Sequence, residues 1–135
     1  MVRNGLLVLV SFACGVVFAT GYVPSVGAQD RRTETKELLR TDLGDWCPGK
    51  EVLVTVSSNS AGVAARHFHP AHSYSYLLEG SQTISPDGKP SYAVKAGDLQ
   101  YEAPFEVSAT RTTDPTRVLV VRILEKGKPA TSLAP

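Results

Sequence analysis

The sequence predicts an all-β protein, a sandwich or barrel of short strands. Three observations carry that reading. At least six runs rich in β-branched and aromatic residues stand between turn signals, at spacings of about 8 to 12 residues. Pro86–Lys89 reads PDGK, a hairpin signal, because Asp-Gly accepts the positive φ that tight hairpin turns require. No stretch after residue 30 shows a convincing helical period.

The N-terminus has a different texture. Arg3 precedes an apolar run from Leu6 to Ala19, then Pro24 and the small residues of "VGA". A basic end, an apolar middle and a small-residue exit read as a secretory signal peptide over residues 1–28, cleaved after Ala28. The apolar run falls short of the roughly 20 residues that span a bilayer, so a retained membrane anchor is the alternative. Cys14 raises a lipoprotein reading, but "SFAC" lacks the leucine expected three positions earlier. The expected location is secreted or periplasmic. Cleavage would leave Cys47 as the lone cysteine, with no intrachain disulfide open to it. The small domain then stands on its apolar core, with at most a metal to help.

Residues 29–50 form a charged lead-in, "DRRTETKELLR", then a loop marked by Gly44, Pro48 and Gly49. The lead-in suits an edge strand or a short helical turn. Trp46 in the loop is expected to pack, closing one end of a barrel. "EVLVTVSS" has valines at 52, 54 and 56, so one face of that strand is apolar. "SYSYLLEG" ends at Gly80, and a further turn falls at Gly97. "RVLVVRIL", Arg117–Leu124, is the most strand-like run. Residues 129–135 read as a loose tail.

Composition excludes some partners. The chain has 14 basic and 13 acidic residues, a net charge of +1. Nucleic-acid binding driven by counterion release needs a basic stripe, and none exists. The 42% hydrophobic and 20% charged content suits a folded domain rather than a disordered one. No repeat marks a solenoid.

All three histidines fall in "RHFHPAH": His67, His69 and His72. On a strand, residues i and i+2 face the same way. His67 and His69 therefore share one face and Phe68 takes the other. Two imidazoles on one ladder make half of a transition-metal site. His72, two residues past Pro70, is the expected third ligand. The plain alternative is a pair of ordinary polar strand residues.

With "RHFHPAH", "YLLEG", "AVKAGD" and "RVLVVRILEKGKP" in this order, the chain resembles the cupin superfamily, specifically its small single-domain members, over roughly Glu51 to Pro129. That resemblance implies a jelly-roll β-barrel over residues 51–128. It also implies a pocket in which two histidines and a glutamate of a first motif, with one histidine of a second, hold a divalent metal. His67 and His69 match the pair, and Gly80 matches the closing glycine. Ser73 stands in the glutamate slot, and Ala61 in the opening glycine slot, one place from Gly62. In the second motif Gly97 matches, Ala103 and Phe105 replace a proline and a glycine, Ser108 stands in the histidine slot and Thr112 in the asparagine slot. Two of four ligands are therefore serines. His72, Glu102 and Glu106 are the remaining donor candidates.

Strand parity adds that Ser75 and Leu77 face the pocket if Ser73 does. Phe105 and Val107 lie on the second-motif segment beside Ser108. Tyr74, Tyr76 and Tyr101 are expected to pack the barrel rather than stack on a ligand.

Three functions follow as expectations. One is a metal-dependent enzyme of dioxygenase, isomerase or decarboxylase type, with Zn, Fe, Cu, Ni or Mn at His67, His69 and His72. The second is a metal-free module that binds a small molecule. The third is an interaction protein that pairs through its sheets, since such barrels often form homodimers. No catalytic residue declares itself.

Overall fold

The structure, a computed structural model, describes residues 31–135. The leader expected over residues 1–28 lies outside the described residues. Among the described residues no helix is long and apolar enough to cross a membrane. One 3-10 turn, Gly44–Trp46, is the sole helical element among them.

The strands are β1 (Thr33–Asp42), β2 (Lys50–Asn59), β3 (Gly62–Val63), β4 (His67–Phe68), β5 (Ala71–Glu79), β6 (Ser81–Pro86), β7 (Tyr92–Lys95), β8 (Leu99–Glu102), β9 (Ser108–Thr112), β10 (Thr116–Glu125) and β11 (Ser132–Leu133). They form two antiparallel sheets. One runs β1-β2-β10-β5-β8; the other runs β11-β4-β9-β6-β7, with β3 also on β9. The long run around Val120 is thus the central strand of the first sheet. The hairpin read from PDGK joins β6 to β7, with Gly88 at φ 69°.

The two sheets close on each other through a small apolar core. Leu77, Val118 and Val120 of the first sheet meet Ile84 and Val94 of the second. A second cluster, Leu53, Ala71 and Leu124, is packed by Ala130. Gly80 makes the step from β5 to β6. Its φ is 80°, and a Cβ there would lie 2.6 Å from the Pro115 carbonyl oxygen. Only glycine tolerates both conditions.

The lead-in takes the first of its two expected forms, and the tail does more than expected. Residues 33–42 form a full edge strand along β2, with a register shift between Glu37 and Leu39. The tail is not loose: β11 pairs with β4, and the Ala134 amide donates to the Arg66 carbonyl. Trp46 closes nothing, because the 3-10 turn carries it outward to 97% exposure.

Alternation in β2 and β5 of the first sheet departs from the usual sense. β2 turns Glu51, Leu53, Thr55 and Asn59 inward and its valines 52, 54 and 56 outward. β5 turns Ala71, Ser73, Ser75 and Leu77 inward and His72, Tyr74, Tyr76 and Leu78 outward. An ordinary half-solvated antiparallel sheet does the opposite. The barrel interior is therefore unusually polar.

Candidate functional site

The register of the first sheet assembles one row of side chains across its inner face. Arg40 on β1 pairs with Leu53 on β2, Leu53 with Arg122 on β10, Arg122 with Ser73 on β5, and Ser73 with Glu102 on β8. Directly opposed residues in such a ladder stand about 4.5 to 5.5 Å apart. This row puts a guanidinium and a carboxylate either side of Ser73, the residue in the expected glutamate slot. From the other sheet, β4 and the residue after it bring His67 and His69 against the same row.

The two imidazoles share a face as strand parity requires. Their centroids lie 5.1 Å apart with planes at 74°. Phe68 points away and packs on Phe105 at 5.9 Å. His67 Nδ1 lies 2.8 Å from the Ala65 carbonyl oxygen, and His69 Nδ1 lies 2.8 Å from that of Ala130. A carbonyl only accepts, so each ring donates from Nδ1 and keeps its lone pair on Nε2. Thr131 Oγ1 adds a contact to His69 Nδ1 at 3.1 Å. Both Ala130 and Thr131 come from the tail. Phe105, at φ 64°, the sole non-glycine residue with positive φ among the described residues, donates its amide to the His69 carbonyl at 2.8 Å. Such a conformation is kept only when the surroundings hold it.

His69 Nε2 faces Glu102 Oε2 at 3.7 Å and Arg122 Nη2 at 3.5 Å. Burial, reinforced by the Arg122 charge, holds the His69 pKa down to about 4. The ring is therefore neutral at pH 7, and its approach to Glu102 is not an ion pair. Burial pushes the Glu102 carboxyl up, against the pull of His67, Arg122 and the Ser108 hydroxyl. Burial also lowers Arg122, with Glu102 opposing. Ser108, in the slot expected to hold a histidine, donates to Glu102 Oε1 at 3.3 Å. Arg122 Nε donates to Ser73 Oγ at 3.2 Å.

His72 does not join this cluster. It sits one residue off the inward parity of Ala71 and Ser73 and stands on the outer face. There it contacts the Tyr101 hydroxyl at 2.8 Å and stacks on that ring. Tyr74, Tyr76 and Tyr101 are likewise outside the barrel, 39–49% exposed. Phe105 is 67% exposed and leaves the pocket to Ser108. Glu106 pairs with Lys89 at 2.6 Å. Of the candidate donors, the structure brings together His67, His69 and Glu102, and it adds Arg122.

Arg122 was not singled out from the sequence, yet a signal existed. Val118, Val120 and Leu124 are inward residues of β10. The period of two therefore places position 122 in the same inward series, and there it is charged.

Above the row lies a cavity of about 570 Å3, within the roughly 300–1,000 Å3 usual for small-molecule sites. Its walls include Thr55, Ser75, Gln82, Gln100 and Thr110 besides the charged row. Among the described residues, Arg31 Nε, Thr55 Oγ1 and Gln100 Nε2 are buried without a hydrogen-bond partner. All three residues line this cavity.

Solved structures place the architecture. DMSP lyase DddQ from Ruegeria pomeroyi DSS-3 is 23% identical with a TM-score of 0.62, over 76% of this chain and 52% of that one. A cupin superfamily protein from Desulfitobacterium hafniense DCB-2 is 12% identical with a TM-score of 0.58, over 74% and 84%. The chain has the cupin fold. An uncharacterized double-stranded β-helix protein from Klebsiella pneumoniae agrees, at 20% identity and a TM-score of 0.56, over 82% and 83%. The chain spans about half the length of the lyase it matches. No protein-family model and no curated protein matches the sequence.

The cupin resemblance implies a divalent metal. The three-histidine set does not fit one, since His72 is on the far face of β5. His67, His69 and Glu102 have suitable donor chemistry, and carbonyl-fixed Nδ1 atoms are usual behind metal-binding imidazoles. Yet the His69 lone pair faces the Arg122 guanidinium, a cation already at that point. Among the described residues, no three His, Cys, Asp or Glu side chains converge into a metal-holding group.

Proposed function

We propose that this cupin is an exported module that binds a small, oxygen-rich organic molecule in the barrel, without a metal. The single observation that carries the reading is the Arg122 guanidinium. It is half-buried in the lining of the cavity, beside a neutral His69 and the hydroxyl of Ser73. A half-buried guanidinium offers planar, charge-assisted donors to a carboxylate or similar acceptor. The unpartnered Thr55 Oγ1 and Gln100 Nε2 support it, since buried polar groups ordinarily find partners. Export rests on the leader read over residues 1–28.

The test is a thermal-shift screen of small hydroxylated and carboxylated compounds, followed by calorimetric titration. Compounds that fit should raise the melting temperature of the unaltered protein. The shift should vanish in Arg122→Ala and weaken in Thr55→Val, which keeps side-chain shape. If binding survives both substitutions unchanged, or if no such compound binds, the reading is wrong.

A second reading is favoured by the two carbonyl-fixed imidazoles: a divalent cation held by His67, His69 and Glu102. It requires Arg122 to leave its place. Metal content of protein purified without chelator separates the two. Stoichiometric metal, lost on joint His67→Ala and His69→Ala substitution, would favour this second reading.

A further inference from the structure

Among the described residues three arginines line the cavity: Arg31, Arg40 and Arg122. Arg40 is already engaged, since its guanidinium pairs with Glu51 and, at 3.2 Å, with Glu37. Arg122 donates from Nε to Ser73 at 3.2 Å. Arg31 differs from both. Its Nε is buried and finds no hydrogen-bond partner among the described residues. Burial lowers its pKa, and no carboxylate among them opposes that, as Glu102 does for Arg122. An unmet donor on a buried cation costs more than an unmet neutral one. The position therefore suits an anionic acceptor brought by a ligand.

We infer that the ligand of this cavity is a hydroxylated diacid, one carboxylate held by Arg122 and the other by Arg31. The inference rests on the binding reading of the cavity and adds a second anchor to it. Register sets the spacing. The Arg31 amide donates to the Val63 carbonyl at 3.1 Å, and Val63 pairs with Arg111 on β9. At the other anchor, His67 pairs with Ser108 on β9, and Ser108 reaches Glu102 beside Arg122. From Ser108 to Arg111 is three steps along one strand, roughly 10 Å. Both side chains reach the same cavity, so a short carbon chain with an acid at each end can span them.

The wall between the anchors says what the chain of the ligand carries. One inward step from the row of Arg122, Ser73 and Glu102 lies the row of Thr55, Val120, Ser75 and Gln100. Thr110, on β9 between the two levels, faces it from the second sheet. Thr55 Oγ1 and Gln100 Nε2 are buried there without partners. Hydroxyl groups both donate and accept, so a polyhydroxylated chain can satisfy them where a plain hydrocarbon chain cannot. Charge agrees. With Glu37 taken by Arg40, the cavity lining keeps Arg31 and Arg122 against Glu102 alone.

Calorimetric titration with matched pairs of sugar acids tests it: tartrate against threonate, glucarate against gluconate, galactarate against galactonate. Members of a pair differ only in a second carboxylate at the far end. At least one diacid should bind the unaltered protein roughly tenfold or more tightly than its monoacid, the worth of one charge-assisted contact. Arg31→Met should erase that preference. Arg122→Met should weaken both members of the pair. Lys36→Met removes the same charge from an exposed β1 residue outside the cavity lining and should keep the preference. Circular dichroism checks folding, and Arg31→Gln replaces Arg31→Met if that variant fails. The comparison within the unaltered protein needs no variant at all. Monoacids that bind as tightly as diacids, or a preference that survives loss of Arg31, overturn the second anchor and leave the binding reading standing. If no member of any pair binds, the second anchor falls together with that reading.

Discussion

His69 is where burial, charge and backbone meet, and its protonation should govern how acid affects the protein. Its pKa is near 4 in the folded state and about 6.5 in an unfolded chain. Folding therefore disfavours the proton, and the unfolded state binds it first as pH falls. The corresponding stability is intact above pH 6.5 and is lost as pH drops toward 4, by about 3 kcal/mol in all. Glu102 acts in the opposite sense. Its raised pKa means the folded state takes up a proton above the usual carboxyl range, which offsets part of the loss. Comparing melting temperatures of the unaltered protein and His69→Asn from pH 7 to pH 4 isolates the histidine. The gap between them should shift against the unaltered protein across that window. A constant gap would mean that the ring is not buried as described.

Arg122 gives a second prediction at this scale. Removing the cation beside two fixed lone pairs should improve the site for a divalent ion. Arg122→Met should bind nickel or zinc at least tenfold more tightly than the unaltered protein by calorimetry. Equal affinities would show that the guanidinium does not set the character of the pocket.

At the scale of elements, alternation was legible but its sense was not. Valines at 52, 54 and 56 mark one apolar face of β2, and a period of two does not say which face looks inward. The usual assumption sends the apolar face to the core. Here Glu51, Thr55 and Asn59 face inward, and Asn59 Nδ2 donates to Thr116 Oγ1 at 3.1 Å. His72 was misplaced for a related reason. Nearness along the chain to His67 and His69 suggested convergence, but β5 restarts at Ala71 with its own parity. Turns were easier to read, because they depend on local backbone conformation. Gly80→Ala should cost about 2 kcal/mol or more, from positive φ and the clash with Pro115 together. Denaturant unfolding measures it, and a loss under 0.5 kcal/mol would contradict the close approach described.

For the whole molecule, the fold was legible because turn spacing and the order of two motifs extend over most of the chain. The limits of the barrel were less so. Residues 33–42 and 132–133 carry charged or mixed sequences with no strong periodicity, and only pairing with β2 and β4 makes them strands. Stability rests on few apolar side chains. Leu77, 1% exposed and in contact with both sheets, is the most sensitive of them. Leu77→Ala should cost about 2 to 5 kcal/mol, readable as a lower denaturation midpoint.

The C-terminal residues have a practical consequence for anyone who handles this protein. Arg66 donates to the Pro135 backbone oxygen at 3.3 Å, next to the strand that presents both imidazoles. Anything fused after Pro135 would begin beside Arg66, the neighbour of His67. A polyhistidine purification handle there would bring foreign ligands toward His67 and would confound any measurement of metal at the barrel. Metal assays should therefore use a handle that is removed, or one placed elsewhere.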